Sequence, residues 1–182
     1  MTSSAAAHPD NSPAETVEEV DIAGTVVGVV SRREMRARSL GHRSVFIAVV
    51  SHEGQLLVHR RAETKDVWPG CWDVAVGGVC APGETWQGAA IRELGEELSL
   101  RDVPVALLGT GAYRDGEVTL VAGVFVVRSD GPFHFADGEI TEAHWVSRDD
   151  LDEWLAAKPF LPDSIALVLP RLGHVWPDDV LR

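Results

Sequence analysis

The sequence predicts an α+β fold in which a mixed β-sheet carries helices on its faces. Apolar runs of strand length alternate irregularly with segments of helical periodicity. Two pairs of these runs are separated only by turn signals, His52-Glu53-Gly54 and Asp115-Gly116, as in antiparallel hairpins. A doubly wound parallel sheet would instead need strands and helices to alternate regularly.

The predicted elements follow from these patterns in chain order. Residues 1–19 are rich in Ala, Ser, Pro and Glu and lack periodicity, so they are predicted to be a disordered tail, followed by a single domain over residues 20–182. The predicted strands are residues 26–30, 44–51, 55–61, 72–79, 106–113, 118–128 and 143–146. The predicted helices are residues 85–98, 148–157 and 164–172, with Thr85 and Ser147 as the N-caps of the first two.

The composition excludes several classes of protein. Lys plus Arg number 16 and Asp plus Glu 28, so the net charge is −12, which would repel a nucleic-acid backbone. The sequence has no apolar run long enough to span a membrane and does not begin like a secretion signal, so a cytoplasmic location without membrane contact is expected. Cys71 and Cys80 are expected to be free thiols in or near the core.

The helix predicted over residues 85–98 has two contrasting faces. Its apolar face is expected to pack on the core and consists of Ile91, Leu94 and Leu98. Its opposite face collects three carboxylates, those of Glu93, Glu96 and Glu97. A solvated acidic surface would explain these residues on the helix alone. A magnesium site would explain them as well, because Mg²⁺ takes oxygen ligands and removes the repulsion between the carboxylates.

The spacing upstream of the helix favours the magnesium site. Gly78 is followed by five residues and Glu84, and then by seven residues and the pair Arg92-Glu93. With Glu96-Glu97 and the apolar positions around them, the segment from 78 to 100 resembles the Nudix signature at every specified position except one. The exception is Ser99, where the signature has Gly. A left-handed helix end at Ser99 would cost about 1 kcal/mol.

The resemblance to the Nudix family implies a fold, a cofactor and a set of site residues. The fold would be an α/β/α sandwich in which the signature forms a loop–helix–loop. Glu93, Glu96 and Glu97 would bind Mg²⁺, with Mn²⁺ as the alternative ion and the Gly77 carbonyl as a further ligand. Arg92 and Glu84 would support these ligands. Dimerisation is common in this family, so the resemblance also allows a homodimer.

The outer landmarks of the sequence are similar to the Nudix branch that contains isopentenyl diphosphate isomerase. These include Ser31-Arg32, His59-Arg60-Arg61, Trp68-Pro69-Gly70 and Trp145-Val146-Ser147. The isomerases, however, need a cysteine where this chain has Gly77 and a histidine where it has Val79. The sequence therefore favours hydrolysis over isomerisation. A third interpretation, a non-catalytic nucleotide sensor, is disfavoured because such proteins usually lose signature carboxylates and none is lost here.

Several other residues have two interpretations, one in substrate binding or catalysis and one that is purely structural. Of the neighbours Arg60 and Arg61, one should point inward and one outward, and Arg60 is expected to be the inward one that contacts phosphate. Lys65 is expected to contact phosphate from the next loop. The simpler interpretation of Arg60 and of Lys65 is a surface charge. Trp68 would stack on a base or anchor its loop. Glu139 is the expected general base or additional metal ligand, with Glu142 or a signature glutamate as alternatives and a solvated loop charge as the simpler interpretation. His42 is expected to be an ordinary surface or capping histidine.

Together these residues predict a hydrolase that cleaves a diphosphate linkage in a nucleoside diphosphate derivative or related X-diphosphate. Water would attack phosphorus in line, and the partner would be a small phosphorylated molecule. The signature does not identify the group X.

Overall fold

The computed structural model describes residues 15–135, 138–173 and 176. Eight strands form one sheet: β1 (Thr16–Val20), β2 (Val26–Ser31), β3 (Gly41–Val50), β4 (Leu56–Arg61), β5 (Trp72–Asp73), β6 (Val105–Arg114), β7 (Thr119–Arg128) and β8 (Ile140–Val146). Four helices accompany it: α1 (Arg32–Ala37), α2 (Trp86–Leu98), α3 (Leu151–Ala157) and α4 (Pro162–Leu172).

The sheet is mixed, as predicted. β3 pairs in parallel with β7 along its whole length, from Gly41 opposite Thr119 to Val50 opposite Arg128. The hairpins β1–β2 and β6–β7 are antiparallel, and so is the pairing of β4 with β8. The long parallel pair explains why residues 44–50 are apolar without alternation, since a central strand is buried on both faces.

The two faces of the sheet are covered by different helices. On one face, Ala48 and Val50 of β3 join a core cluster with residues of α3 and α4, including Val168 and Leu172. On the other face, the alternate residues Val45, Ile47 and Val49 pack with Leu94 and Leu98 of α2. Each fully buried Leu or Val contributes about 1.5–3 kcal/mol of transfer free energy. The predicted arrangement of helices on both faces of a sheet is therefore confirmed.

The N-terminal part of the described chain differs from the prediction. The predicted tail boundary at Val20 is wrong, because residues 16–20 form β1 and bury Val17 and Val20. The acidic residues Glu18 and Glu19 made this strand difficult to recognise in the sequence. In the structure, the Glu18 carboxylate pairs with the Arg43 guanidinium at 3.0 Å. Residues 1–14 of the predicted tail lie outside the described residues.

Helix α1 was not predicted at all. Its sequence is polar and basic, and Met35 is its only large apolar residue facing the core, with 1% exposed. The hydrophobic period of a helix therefore cannot be recognised. The local signal that existed was an N-cap, since the Ser31 side chain accepts a hydrogen bond from the Glu34 N–H at 3.1 Å.

Helices α3 and α4 begin at different residues from those predicted. α3 begins at Leu151 with Asp150 as its N-cap, and Ser147, the predicted cap, donates its hydroxyl to the Asp150 carboxylate at 2.6 Å. α4 begins two residues early, at Pro162, because proline lacks the N–H that the first helical position does not need. In the part of the chain that the structure describes, no helix is long and apolar enough to cross a membrane.

Candidate active site

A cleft opens at one end of the sheet, between α1, α2, the start of α4 and the loops that follow β4 and β5. It is lined by side chains of both charges. The basic ones are Arg32, Arg36, Arg61 and Lys65, and the acidic ones are Asp66, Asp73, Glu93, Glu97, Glu139 and Asp163. A second, adjoining pocket shares Arg32, Val79, Glu93, Glu97 and Glu139 with it. A ligand that spans both would therefore pass the same glutamates.

Helix α2 places two of the predicted metal ligands in the wall of this cleft. Glu93 and Glu97 are one helical turn apart and are only 8% and 7% exposed. Glu96 lies at the mouth, where it lines the second pocket only, and its side chain is 56% exposed. The three predicted ligands thus lie along one side of the helix, at different depths.

The prediction that Ile91 packs on the core is wrong, since this residue is 51% exposed. The buried face of α2 also contains alanines and the two cleft glutamates: Ala89, Ala90, Glu93, Leu94, Glu97 and Leu98. The predicted N-cap is confirmed, because the Thr85 hydroxyl accepts a hydrogen bond from the Gly88 N–H at 3.0 Å. Ser99 does adopt the left-handed conformation considered for the helix end, with a φ of 56°.

Arg92 ties the helix to the loop before it. Its guanidinium donates to Glu84 at 3.0 and 3.1 Å, to Glu93 at 2.7 Å, to Glu96 at 2.9 Å and to the Val79 carbonyl at 3.2 Å. Hydrogen bonds to Glu84 raise the pKa of Arg92, against the opposing effect of burial. Burial raises the pKa of Glu84, but bonds from Arg92 and the Ala81 N–H outweigh it and leave the pKa below its ordinary value. Both groups are therefore charged at neutral pH.

Close contacts require glycine at positions 77 and 78, before the loop that leads to α2. Gly77 has a φ of 149°, and a Cβ atom there would lie 2.0 Å from the Val45 carbonyl oxygen of β3. A Cβ atom on Gly78 would lie 2.5 Å from Oε1 of Glu93. The backbone here bonds to the central strand, with the Val45 N–H donating to the Gly78 carbonyl at 2.9 Å. A side chain at position 77 does not fit this backbone.

A buried ion pair between Lys65 and Glu139 lines the same cleft as Glu93 and Glu97. The Lys65 ammonium donates to the Glu139 carboxylate at 2.5 Å, with side chains 10% and 12% exposed. The Ala62 N–H donates to the Glu139 carbonyl at 2.8 Å, which fixes the two loops together. Glu142, the alternative to Glu139, instead pairs with His144 at 2.6 Å and lines neither pocket.

The structure places Arg61, and not Arg60, in the cleft. Arg60 lines neither pocket and donates to the Gly70 carbonyl and the Glu63 carboxylate. The expected alternation holds, since one of the two arginines lines the cleft and the other does not, but the choice of Arg60 is wrong. The Nε atom of Arg61 is buried and has no hydrogen-bond partner among the described residues. Trp68 lines the cleft and also packs against the core cluster that contains residues of α4.

His42 is buried beneath the cleft, so its assignment as a surface histidine is wrong. It is 2% exposed, and its Nδ1 lies 3.1 Å from the Leu40 carbonyl oxygen. Burial, followed by the charge of Arg36, lowers the pKa of His42 to about 4. The ring is therefore neutral at pH 7.

Besides Arg61, five charged residues of the cleft were missed: Arg32, Arg36, Asp66, Asp73 and Asp163. The two arginines belong to the unpredicted α1. Asp163 follows Pro162 at the start of α4, where an acidic residue is ordinary because it complements the helix dipole, so nothing marked it. Asp73 ends the two-residue strand β5, and its Oδ1 accepts from the Ala75 N–H at 3.1 Å.

The donor set of α2 suits a hard divalent cation, although its carboxylates are held apart. Among residues 15–135, 138–173 and 176, no three Asp, Glu, His or Cys side chains already form a metal-binding group. Arg92 lies between Glu93 and Glu96 and bonds to both. Two nearly buried carboxylates beside a polar cleft are nonetheless the ligands that Mg²⁺ prefers. Both cysteines are free, as predicted, and Cys80 is buried with its pKa raised by burial to about 12, so it offers no thiolate.

Comparisons with known proteins agree with this site. A family model described as the NUDIX domain matches residues 40–164. An uncharacterized Nudix hydrolase of Pseudomonas aeruginosa is 36% identical over 159 residues, which cover 87% of this chain and 94% of that protein. The uncharacterized Nudix hydrolase YfcD of Escherichia coli strain K12 is 35% identical over 151 residues, which cover 83% of each protein. The crystal structure of DR0079 from Deinococcus radiodurans superposes with a TM-score of 0.70 at 27% identity, over 82% of this chain and 94% of that one.

The chain belongs to the Nudix family. It is a hydrolase that acts on a pyrophosphate-containing substrate, and the sandwich of helices around a mixed sheet is the fold of its relatives.

Proposed function

We propose that this Nudix hydrolase is Mg²⁺-dependent and cleaves the diphosphate linkage of a nucleoside diphosphate derivative or related X-diphosphate. The observation that carries the proposal is the pair of nearly buried glutamates, Glu93 and Glu97, in the wall of a cleft with arginine and lysine side chains around it. A diphosphate is the class of ligand that matches both groups, because it binds a divalent cation and guanidinium groups at once.

Glu93, Glu96 and Glu97 would hold the cation, with the Gly77 carbonyl as a further ligand and Mn²⁺ as the alternative ion. A cation bound there supplies charge for the phosphoryl oxygens and lowers the pKa of a water molecule. Arg92 orients Glu93 and Glu96 through its bonds to both. Glu84 in turn fixes Arg92, so the loop and helix act as one support for the ligands.

Glu139 is the side chain proposed to take a proton from the attacking water. It lines both pockets together with Glu93 and Glu97, and its pairing with Lys65 holds the carboxylate in one position. In this arrangement Lys65 positions Glu139, whereas the sequence predicted that Lys65 itself contacts phosphate.

Arg61 replaces Arg60 as the proposed phosphate contact on β4, because only Arg61 lines the cleft. Its buried Nε needs an acceptor, and a phosphate oxygen would supply one. Trp68 offers an aromatic surface for a base of the substrate at the same side of the cleft.

The isomerase alternative is opposed by the backbone at Gly77. An isomerase needs a cysteine there, and a Cβ atom would lie 2.0 Å from a carbonyl oxygen of β3. The sensor alternative is opposed by the presence of all three signature carboxylates. The cytoplasmic location, the homodimer and the isomerase-like branch remain predictions.

One experiment tests the reaction and the metal together. Nucleoside di- and triphosphates, sugar nucleotides and dinucleotides are incubated with the protein and Mg²⁺, and release of phosphate and pyrophosphate is measured. With a substrate in hand, Glu97→Gln should lower turnover at least about 100-fold, and Glu139→Gln should lower kcat with little change in KM. Glu153→Gln, an exposed carboxylate of α3 outside both pockets, is the matched control.

Three outcomes would contradict the proposal. Near-normal Mg²⁺-dependent turnover by Glu97→Gln would remove the metal assignment. Formation of dimethylallyl diphosphate from isopentenyl diphosphate would favour the isomerase. Tight nucleotide binding without any release of phosphate would favour the sensor.

A further inference from the structure

A group of charged side chains in the cleft belongs to neither α1 nor α2. Asp73 ends β5 and Asp163 lies in the first turn of α4, and each is only 4% exposed. Arg61 of β4 lines the same cleft. Burial, followed by the charge of Asp73, raises the pKa of Asp163, whereas the charge of Arg61 acts to lower it. Asp73 and Arg61 therefore both lie within electrostatic reach of Asp163.

Backbone groups hold the two carboxyls in place. The Ala75 N–H donates to Oδ1 of Asp73 at 3.1 Å, and the Ser164 N–H donates to Oδ1 of Asp163 at 2.7 Å. In the part of the chain that the structure describes, no side chain is hydrogen-bonded or ion-paired to either residue. Both carboxyls can therefore accept further hydrogen bonds from a ligand in the cleft.

Two basic side chains near these carboxyls do not pair with them. Arg61 donates its Nη2 to the Val67 carbonyl at 3.3 Å, and its buried Nε has no hydrogen-bond partner among the described residues. His59 lies opposite Asp73 in the pairing of β4 with β5 and is 3% exposed. Burial lowers the pKa of His59 to about 4, so the ring is neutral at pH 7. The histidine therefore does not balance the charge of Asp73.

Buried carboxyls without a pairing side chain are costly, because they have left water and have gained only backbone hydrogen bonds. The same cleft is lined by apolar side chains, such as Val67, Leu120 and Leu161, which offer no hydrogen bonds. A ligand with N–H or O–H groups would supply the missing bonds, whereas an apolar ligand would displace water and leave the carboxyls unsatisfied.

We propose that Asp73 and Asp163 bind hydrogen-bond donors of the group X, so that the enzyme selects substrates in which X carries N–H or O–H groups. This inference rests on the proposed function, since it places X in the cleft that also contains Glu93 and Glu97. The donors could be an exocyclic amine of a nucleobase or the hydroxyl groups of its sugar. An isoprenoid X has neither and should bind poorly.

A competing explanation gives the two residues only structural roles. Asp73 would close the turn after β5 through the Ala75 N–H, and Asp163 would complement the N-terminus of α4. Asparagine keeps one side-chain oxygen for the backbone N–H but replaces the other oxygen with an amide group that donates. Structural roles therefore predict unchanged ligand selectivity after Asp73→Asn or Asp163→Asn, whereas binding to donors predicts that selectivity is lost.

The test is isothermal titration of the full chain, in Mg²⁺, with α,β-methylene analogues of nucleoside diphosphates, which cannot be cleaved at the bridge. The cytidine and uridine analogues differ in an exocyclic amine against a carbonyl oxygen, and so do those of adenosine and inosine. The 2′-deoxycytidine analogue lacks one sugar hydroxyl. In at least one comparison the donor-bearing analogue should bind at least about 10-fold more tightly, since a hydrogen bond to a charged group is at stake.

Asp73→Asn and Asp163→Asn should each reduce this preference to less than about 3-fold. Asp152→Asn, an exposed acid of α3 that lines neither pocket, is the matched control and should keep it. Thermal unfolding of each variant checks that it is folded. Equal binding in every comparison, or a preference that persists in both cleft variants, would overturn the inference. Binding of isopentenyl diphosphate as tight as that of the nucleotide analogues would overturn it as well.

Turnover of the corresponding diphosphates separates this inference from the proposed function. Mg²⁺-dependent hydrolysis without a preference that depends on Asp73 or Asp163 would overturn the inference alone. A preference that depends on these residues, in a protein that hydrolyses none of the nucleotides, would support the inference and contradict the proposed function. If both hold, Asp163→Asn should lower kcat/KM for the preferred nucleotide and leave the Mg²⁺ dependence of turnover unchanged.

Discussion

Asp163 is a buried acid in the cleft whose protonation should control the stability of the protein. It is 4% exposed, like Asp73, which lines the same cleft. The Ser164 N–H donates to its Oδ1 at 2.7 Å. Burial, followed by the charge of Asp73, raises the pKa of Asp163 from 3.8 to about 7. Near neutral pH this carboxyl is therefore partly protonated in the folded protein, whereas it is ionised in the unfolded chain.

The sign of the effect follows from the raised pKa. The folded protein binds the proton more tightly than the unfolded chain, so the free energy of unfolding is highest below pH 3.8 with respect to this group and falls as the pH rises toward 7. At about 1.36 kcal/mol for each pH unit, the whole fall would be at most about 4 kcal/mol. Asp163→Asn removes the ionisation and keeps a side-chain oxygen for the Ser164 N–H. The variant should be more stable than the unsubstituted protein at pH 8 by roughly 2–4 kcal/mol, and nearly equal to it at pH 4.

Urea unfolding followed by tryptophan fluorescence, at intervals between pH 4 and pH 8, measures this difference. Asp152→Asn, an exposed acid in the first turn of α3, is the matched control and should leave the pH dependence unchanged. Asp73→Asn should lower the pKa of Asp163 and so reduce the fall in stability. Parallel curves for Asp163→Asn and the unsubstituted protein, with no gain at pH 8, would refute the reasoning.

Two further predictions concern the support of the metal ligands. Gly77→Ala should lower the free energy of unfolding by more than about 2 kcal/mol, because the positive φ of Gly77 and the close carbonyl oxygen of Val45 both oppose a side chain. Gly83→Ala is the matched control. Gly83 has a φ of +73° but no atom within 4 Å of the added carbon, so this change should cost only about 1 kcal/mol. Equal losses in urea unfolding would contradict the steric argument. Arg92→Met should cost roughly 2–4 kcal/mol at pH 7. This deficit should shrink below pH 4.5. The pKa of Glu84 is lowered in the folded protein, so its ion pair with Arg92 stabilises the fold above pH 4.5 and is lost as Glu84 is protonated at lower pH. A deficit that does not change with pH would contradict this assignment.

The parts of the fold that were predicted correctly have local signals. Thr85 and Ser99 mark the two ends of α2, and the structure has a side-chain cap at the first and a left-handed residue at the second. The apolar run of β3 and the turn at Asp115-Gly116 located the centre of the sheet and the β6–β7 hairpin. Each of these features depends on a few consecutive residues, and a single sequence contains that information.

The residues that were missed depend on contacts between distant parts of the chain. Arg32 and Asp163 line one cleft although 130 positions separate them. Arg61 lines the cleft and Arg60 does not, whereas alternation along β4 states only that the two side chains point to opposite sides. The side that faces the cleft is the one on which Leu57 packs with α2, and the residues around the arginines do not contain that information.

The exposure of Ile91 follows from the orientation of α2 on the sheet. The apolar residues of α2 predicted a buried face centred between Ile91 and Leu98, whereas the observed face is rotated by roughly a quarter of a turn, toward Glu93 and Glu97. Two carboxylates near the interior are costly unless counter-charges or a cation accompany them. The small residues Ala89 and Ala90 allow α2 to pack closely on the sheet in that orientation, and Ile91 is left in solvent. This orientation therefore gives up apolar burial at Ile91 and places the carboxylates of Glu93 and Glu97 at the cleft.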